Sequence, residues 1–424
     1  MARLRCVTRF WHPVADMSAV SASGELLLDR AEGVHVWDES GRRYLDATAA
    51  LWYCNVGYGR AEIADAAAAQ MRRLPAYSHY GDVSSRPTTE LAERIAHIAP
   101  MEDAVVFFAS GGGESIETAV KLVRRYWSLL GRESKTIVIS RERAYHGLAG
   151  YGTSIVGTDT FTVGVGPIAG GTLRVPWDDP VAFAEAVDRA GAENVAAFFC
   201  EPIVGAGGVL APPPGYLEEV ERICRERDVL LVADEVICGF GRVGDWFASS
   251  RFAVEPDLVT FAKGVTSGYV QLGGVIVGPR VREPFWAPGA GVWRHGYTYS
   301  GHATATAAAH ANLDIMEREA LPERARALES ELADALAPLV SHPLVSEVRA
   351  GLGVLAAVQI APDAIAEEPG LPDRACGLAR EHGILTRVLV GGGLQVSPAL
   401  VIDDAALTEL VDGLRAALDD CATR

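Results

Sequence analysis

Six short apolar runs recur between residues 61 and 310, and segments with helical patterning separate them. Runs such as LLVAD at 230–234 are apolar on consecutive positions, which is typical of strands covered on both faces. We therefore predict an α/β fold with a mainly parallel sheet flanked by helices. The clearest strands are predicted at 104–108, 136–140, 195–200, 229–233, 258–261 and 274–277.

The two ends of the chain have a different pattern. Near the N-terminus, apolar residues alternate around Glu39-Ser40-Gly41, which predicts a β-hairpin. From about residue 322 the pattern changes to helix, strand and helix, with glycine breaks. We predict an N-terminal segment at 1–60 that packs with a small α+β domain at 321–424, and a large α/β domain at 61–320.

Composition excludes several classes of protein. The 424 residues are 49% hydrophobic and carry a net charge of −17, which fits a globular enzyme and argues against a nucleic-acid surface. We find neither a signal peptide nor an apolar run near the roughly 20 residues of a membrane helix. The seven cysteines form no CxxC pair, so we predict a cytoplasmic protein with no membrane contact and no structural metal.

Lysine is scarce in this chain. It occurs only at positions 121, 135 and 263 among 38 Lys and Arg residues. An amine can form an imine, whereas a guanidinium group effectively cannot. This scarcity is a weak indication that a remaining lysine performs such chemistry.

A glycine-rich turn, Ser110-Gly111-Gly112-Gly113, follows a predicted strand and precedes a helical run. Such a turn lets backbone amides and a helix N-terminus bind a phosphate. On its own it is equally consistent with a tight strand-to-helix turn. It matches neither GxGxxG nor a P-loop, so a dinucleotide site is not favoured.

Two ionisable residues end neighbouring predicted strands. Asp234 follows five apolar residues, and a buried carboxylate there needs a partner such as a pyridinium nitrogen, although a helix cap or an internal ion pair would also serve. Glu235 is expected to point elsewhere. Lys263 lies two residues after the next strand, where a lone lysine is otherwise usually a solvated loop residue.

Two further strand ends carry candidate ligands. Tyr145 could stack on a flat aromatic ligand, and His146 and Gly147 follow it, but YHG is otherwise a common loop sequence. Glu201 precedes Pro202 and is either an inward-facing acid or a surface carboxylate. Ligands of open α/β sheets bind at the carboxyl ends of strands, so the spacing of these features is more specific than any one of them.

Taken together, the motifs resemble the class III aminotransferases, which are fold type I pyridoxal-phosphate enzymes. The resemblance covers nearly the whole chain, and within the class the motifs are most similar to those of the ω-amine:pyruvate transaminase group. It implies a seven-stranded, mainly parallel sheet and a small domain built from both chain ends. The motifs that carry it are LWYCNVGYG, SGGGESIETAVK, YHG, EPIVGAGG, VADEVICGFGRVG, LVTFAKGVTSGY, HGYTYSGH and LQVSPALVI.

The resemblance also implies roles for individual residues. Lys263 would form the Schiff base with pyridoxal 5′-phosphate and carry the proton, while Asp234 would pair with the pyridine nitrogen. Val236 and Tyr145 would cover the two ring faces, with His146 beside them. The remaining implied positions are Gly112 and Gly113 on the phosphate, Glu201 near the cofactor, Thr298 on the phosphate of the partner subunit in a homodimer, and Trp52 in the substrate pocket.

The sequence departs from the family pattern at three places. A hydroxyl is lost at Gly113, and His302 is followed by Ala303 rather than proline. Gln395 stands where we expect the arginine that binds the substrate carboxylate. We predict that Gln395 contacts substrate, and that Arg387 or Arg294 binds the carboxylate or that this binding is weak.

The implied reaction is a ping-pong transfer of an amino group from a small-molecule amine or amino acid to a keto acid, aldehyde or ketone. Aminomutases, racemases and decarboxylases on the same fold are the alternative enzymes. A binding protein would not need the pair of Asp234 and Lys263, and a nucleotide enzyme would need a different fingerprint.

Overall fold

The computed structural model describes residues 8–165 and 169–423. The chain begins with helix α1 (Met17–Ser23) and three antiparallel strands, β1 (Leu28–Glu32), β2 (His35–Asp38) and β3 (Arg43–Asp46). The turn 39–41 joins β2 to β3, so the predicted hairpin is confirmed. A short irregular turn and two helices then lead to the large sheet: α2 (Ala49–Trp52), α3 (Ala61–Arg73) and α4 (Arg86–His97).

The large sheet has seven strands in the order β4-β10-β9-β8-β7-β5-β6. Strand β10 is antiparallel to both of its neighbours, and the other paired strands are parallel, which confirms the predicted fold class. The strands are β4 (Val105–Ala109), β5 (Ile137–Arg141), β6 (Thr172–Val175), β7 (Val195–Cys200), β8 (Leu230–Asp234), β9 (Leu258–Phe261) and β10 (Gly273–Val277).

All six predicted strands occur in this sheet, with bounds that differ by at most one residue. Strand β6 was not predicted, because it lies at the sheet edge, where Leu173 and Arg174 are exposed and no apolar run results. The interior strand β7 is buried throughout, and its side chains alternate between two apolar layers. Ala197 and Phe199 pack on one face, and Phe198 and Cys200 pack on the other.

Helices cover both faces of this sheet. The long helix that follows β4 packs on the face of Phe199, and two helices near β7 pack on the face of Phe198. The helices are α5 (Gly112–Leu129), α6 (Gly150–Ser154), α7 (Pro180–Ala190), α8 (Tyr216–Glu226), α9 (Ala248–Arg251), α10 (Pro279–Trp286) and α11 (Ala303–Arg318). Short 3-10 helices span Asp159–Phe161, Lys263–Val265 and Ala337–Ser341.

The C-terminal part forms a smaller α+β unit. Its elements are α12 (Leu321–Leu336), β11 (Val345–Arg349), β12 (Ala356–Ile360), α13 (Pro362–Glu367), α14 (Leu371–Glu381), β13 (Ile384–Leu385), β14 (Gly393–Val396) and α15 (Asp404–Thr423). Strands β11, β12 and β14 form one sheet, whereas β13 pairs in parallel with β3. Both chain ends therefore build this unit, as predicted.

The predicted domain boundaries stay predictions, and residues 1–7 and 424 lie outside the part of the chain that the structure describes. Among residues 8–165 and 169–423, no helix has the length and apolar character required to cross a bilayer.

Candidate active site

Four neighbouring strands, β5, β7, β8 and β9, end at the same edge of the large sheet. The residues that follow or close them are His146, Glu201, Asp234 and Lys263. Because these strands are parallel, the topology brings side chains distant in sequence to one place. The predicted grouping of candidate residues at the strand ends is therefore present in the fold.

Asp234 is a buried carboxylate whose hydrogen-bonding capacity is largely filled. The ring Nδ1 of His146 donates to its Oδ2 at 2.6 Å, and the hydroxyl of Thr260 and the amide of Val236 donate to its Oδ1 at 3.0 and 3.1 Å. These three hydrogen bonds fix the orientation of the carboxylate, and Asp234 is only 4% exposed. Sequence analysis missed Thr260, and its one signal was a hydroxyl within an apolar strand.

Lys263 begins a 3-10 turn directly after β9 and has a left-handed backbone, with φ of 47°. Its Nζ lies 5.2 Å from the centroid of the Trp52 ring and forms no salt bridge with the described residues. Burial lowers the pKa of the Lys263 amine to about 8, Asp234 opposes this shift, and Arg387 adds to it. A lysine with this pKa is a better nucleophile near neutral pH than an exposed one.

The glycine-rich turn lies between β4 and the N-terminus of α5, where Gly111 is the N-cap and no side chain caps the helix. A Cβ atom at Gly112 would lie 2.9 Å from Cγ1 of Val236, and a Cβ at Gly147 would lie 3.2 Å from Cα of Gly113. Side chains at these positions would therefore crowd the site. The Cβ direction at Gly113 is open to 4 Å, so its lost hydroxyl leaves free space.

Glu201 is buried and fixes the loop that carries Tyr145. Its two carboxylate oxygens accept hydrogen bonds from the amides of Tyr145 at 3.0 Å and Gly205 at 2.9 Å. Burial raises the pKa of the Glu201 carboxyl group. No arginine side chain of the described residues forms a salt bridge with it, and its predicted place near the cofactor stays a prediction.

Glu235 directly follows β8 and points away from this group, as expected. Its carboxylate accepts hydrogen bonds from the amides of Ala248 and Ser249 and from the Ser249 hydroxyl, and so caps α9. Two adjacent carboxylates, the last residue of β8 and the residue after it, thus lie at the candidate site and at a helix end.

A second wall of the site is formed by residues from the N-terminal and C-terminal parts of the chain. Trp52 is buried and donates from its ring nitrogen to the hydroxyl of Ser397 at 3.2 Å. The guanidinium carbon of Arg387 lies 4.2 Å from the centroid of the Trp52 ring, within cation–π range. Its Nε donates to Oε1 of Gln395 at 2.6 Å. Lys263 and Arg387 therefore approach the same indole ring.

Gln395 is fully buried, and both ends of its amide have partners. Oε1 accepts from Arg387, and Nε2 donates to the Thr48 carbonyl oxygen at 3.4 Å. Arg294, the other predicted carboxylate ligand, is exposed and lines a different cavity with His79 and Tyr80. Of the two candidate arginines, the structure brings Arg387 to Trp52 and Lys263.

The turn that holds Trp52 is strained. Ala49, Ala50 and Trp52 all have positive φ values, of 47°, 57° and 61°. Asp46 stabilises this conformation by accepting hydrogen bonds at 2.5 to 2.9 Å from the amides of Thr48 and Ala50, the Thr48 hydroxyl and the Tyr58 hydroxyl. Sequence analysis did not identify this aspartate.

Thr298 lies on an exposed turn, and its predicted contact with the partner subunit stays a prediction. Large exposed apolar side chains lie next to Thr298 in sequence or line the cavity that contains Arg294. They are Tyr80, Val292 and Tyr299.

The described residues fit pyridoxal 5′-phosphate. The Asp234 carboxylate could pair with a flat cationic ring. Nε2 of His146 is buried and has no hydrogen-bond partner among the described residues, so it is available to a ligand. The uncapped amides of α5 fit a phosphate, and the amine of Lys263 fits an aldehyde. These are the groups that such a cofactor needs.

Comparisons with known proteins agree with this geometry. The family model Aminotransferase class-III matches residues 17–418. A putrescine–pyruvate aminotransferase of Pseudomonas aeruginosa is 39% identical over 97% of this chain and 94% of its own length. An (S)-enantioselective omega-transaminase from Thermomicrobium roseum superposes with a TM-score of 0.92 at 39% identity, covering 97% of this chain and 96% of that one. The omega transaminase of Pseudomonas jessenii in complex with PMP gives 0.93 at 33% identity, with coverages of 98% and 96%.

Proposed function

The chain belongs to the class III aminotransferases, and from this premise we propose that it takes a primary amine as donor and a small 2-keto acid as acceptor. It is a pyridoxal-phosphate-dependent transaminase that transfers an amino group from an amine or amino acid to a carbonyl compound in two half-reactions. The observation that carries the proposed acceptor is Arg387, held by Gln395 against the face of Trp52.

The cofactor side of the site is assigned to six positions. Asp234, supported by His146, holds the ring nitrogen, and Val236 and Tyr145 cover the two ring faces. The amides of Gly112 and Gly113 bind the phosphate. The buried contacts of Asp234 and the close approach of Gly112 to Val236 support this assignment.

Bound pyridoxal phosphate supplies an aldehyde that condenses with primary amines and a protonated ring that accepts electrons when a Cα–H bond breaks. Lys263 would hold the cofactor between turnovers, and its free amine would carry the proton between Cα of the substrate and C4′ of the cofactor. Its lowered pKa favours the neutral amine that this proton transfer requires. Asp234 keeps the ring nitrogen protonated.

Arg387 binds the acceptor carboxylate in this proposal. A planar guanidinium can form two parallel hydrogen bonds with a carboxylate, and the hydrogen bond of Arg387 to Gln395 uses Nε and not the two Nη atoms. We predicted that Gln395 contacts substrate; its buried amide, which accepts from Arg387, supports instead a role in orienting Arg387. Trp52 limits the volume on the same side.

Homodimer formation and a cytoplasmic location complete the proposal. The exposed aromatic side chains near Thr298 fit an interface, where Thr298 would reach the partner's phosphate site. Free thiols are expected in a reducing compartment, and five of the described cysteines have them: Cys54, Cys200, Cys224, Cys238 and Cys376.

The relatives support amino transfer over the alternative enzymes, since their names specify aminotransferases acting on putrescine, diaminobutyrate and γ-aminobutyrate. A panel of donors tests the proposal without any acceptor. Putrescine, 1-phenylethylamine, alanine and γ-aminobutyrate are each added to the holoenzyme, and conversion of the cofactor to its pyridoxamine form is followed by absorbance. Pyruvate is then added, and alanine is measured. Failure of every amine to convert the cofactor would refute the proposed donor class.

A further inference from the structure

Arg143 lies in the loop between β5 and Tyr145 and is outside every motif considered above. Its backbone is left-handed, with φ of 62°, and its side chain is partly buried. The chain is tightly packed at this residue, since a Cβ at Gly207 would lie 2.0 Å from the Arg143 carbonyl oxygen. Arg143 therefore has a fixed place two residues from the residue assigned to stack on the cofactor.

The guanidinium of Arg143 connects two other segments. Its Nε donates to the carbonyl oxygen of Gly207 at 2.9 Å, and its Nη2 donates to that of Val390 at 3.1 Å. A Cβ atom at Gly391 would lie 2.9 Å from the same Nη2. The side chain thus joins the loop of Tyr145 to the loop after Glu201 and to the segment after β13.

The segment that receives Nη2 is the hairpin that carries Arg387. Val388 bridges to Leu394, and the amide of Leu389 donates to the Gly393 carbonyl at 2.7 Å. The side-chain amide of Gln359 donates to the Gly391 carbonyl at 2.6 Å. Arg143 and Gln359 therefore hold the tip of this hairpin.

Ion pairing does not explain Arg143. No carboxylate of the described residues forms a salt bridge with it, and burial together with the nearby Arg349 lowers the pKa of its guanidinium. The guanidinium of Arg143 acts through its N–H donors, which reach two carbonyl oxygens on different loops. A lysine has one nitrogen on a flexible stem and does not reproduce this geometry.

We propose that Arg143 is a positioning residue for carboxylate recognition, which sets Arg387 relative to the loop of Tyr145. This inference rests on the proposed role of Arg387 as the carboxylate ligand. A hairpin released from Arg143 would place the guanidinium of Arg387 in many positions, so carboxylate substrates would lose affinity while carboxylate-free substrates would not.

The test compares two acceptors, pyruvate and the carboxylate-free aldehyde butanal. Each is added to holoenzyme whose cofactor already carries the amino group. We expect Arg143→Lys to lower kcat/KM for pyruvate about tenfold, mainly through KM, and to change that for butanal less than twofold. Arg326→Lys is the matched control, because Arg326 also donates to a loop carbonyl, that of Gly244, away from the site. It should change neither value.

Equal losses for pyruvate and butanal, or no loss for either, would overturn the proposal. A second measurement applies if Arg143→Lys is poorly folded. In an Arg387→Ala background, Arg143→Gln should cost no further kcat/KM for pyruvate, and an additive loss would show that Arg143 does not act through Arg387. The amine half-reaction of the wild-type protein, which lacks a carboxylate, tests the proposed function separately.

Discussion

The two walls of the site are built in different ways. Asp234 and Lys263 follow central strands of the large sheet, and the carboxylate of Asp234 has buried donors on two sides. Trp52 and Arg387 come from the two chain ends and depend on a strained turn and a clamped hairpin. Asp234 and Lys263 are thus placed by sheet topology, whereas Trp52 and Arg387 depend on loops that can change without disturbing the sheet.

The largest effect should come from substituting Lys263, in the wall that the large sheet forms. Lys263→Ala removes both the attachment point and the proton carrier, so turnover should fall at least about 10⁴-fold. The visible absorbance of the cofactor bound through this lysine should also disappear. Stopped-flow absorbance with an amine donor measures both. Turnover near the wild-type rate, with the absorbance intact, would contradict the assignment of Lys263.

A substitution in the wall formed by loops, which contains Trp52 and Arg387, should affect only substrates that have a carboxylate. Arg387→Ala should lower kcat/KM for pyruvate about 10- to 100-fold, because a charge-assisted hydrogen bond to the carboxylate is lost. The half-reaction of a carboxylate-free amine should change little. Arg294→Ala is the matched control, since that side chain is exposed on another cavity wall. A larger loss for Arg294→Ala would reverse the choice between the two arginines.

The pH dependence of cofactor capture tests whether the two walls are coupled. Only the neutral amine of Lys263 attacks an aldehyde, and burial lowers its pKa from 10.5 to about 8. For the apoprotein mixed with pyridoxal phosphate, the capture rate should rise about tenfold per pH unit below pH 8 and level off above it.

Because Arg387 contributes to lowering the Lys263 pKa, Arg387→Ala should move this midpoint to higher pH. Absorbance stopped-flow between pH 6 and 10 measures the midpoint. A wild-type rate that still rises steeply at pH 10 would mean that Lys263 behaves as an exposed lysine.

The smallest effect should come from the strained turn. Asp46→Asn replaces one acceptor oxygen with a donor, so the amide of Ala50 or the hydroxyl of Tyr58 loses its partner. We expect a loss of about 1–3 kcal/mol in the free energy of unfolding. Tyr58→Phe removes a single hydrogen bond and should cost about 1 kcal/mol. Urea unfolding measures both, and equal stability of Asp46→Asn and wild type would exclude Asp46 as the support of the turn.

The pattern of apolar residues was sufficient to locate six strands of the large sheet and the candidate residues at their ends. Buried strands are apolar on consecutive positions, so their ends could be located within one residue, and polar residues at those ends, such as Asp234 and Lys263, were evident. Edge strand β6 was missed because half-exposed strands lack this signal.

The residues of the second wall could be chosen only from the three-dimensional fold. Arg387 and Arg294 were equivalent candidates in the sequence, and the fold brings Arg387 to Trp52. Thr260, Asp46 and Arg143 also gained their roles from contacts between segments far apart in the chain. The physical reason is that local patterning reports burial and periodicity, whereas the meeting of two chain ends depends on the packing of the whole molecule.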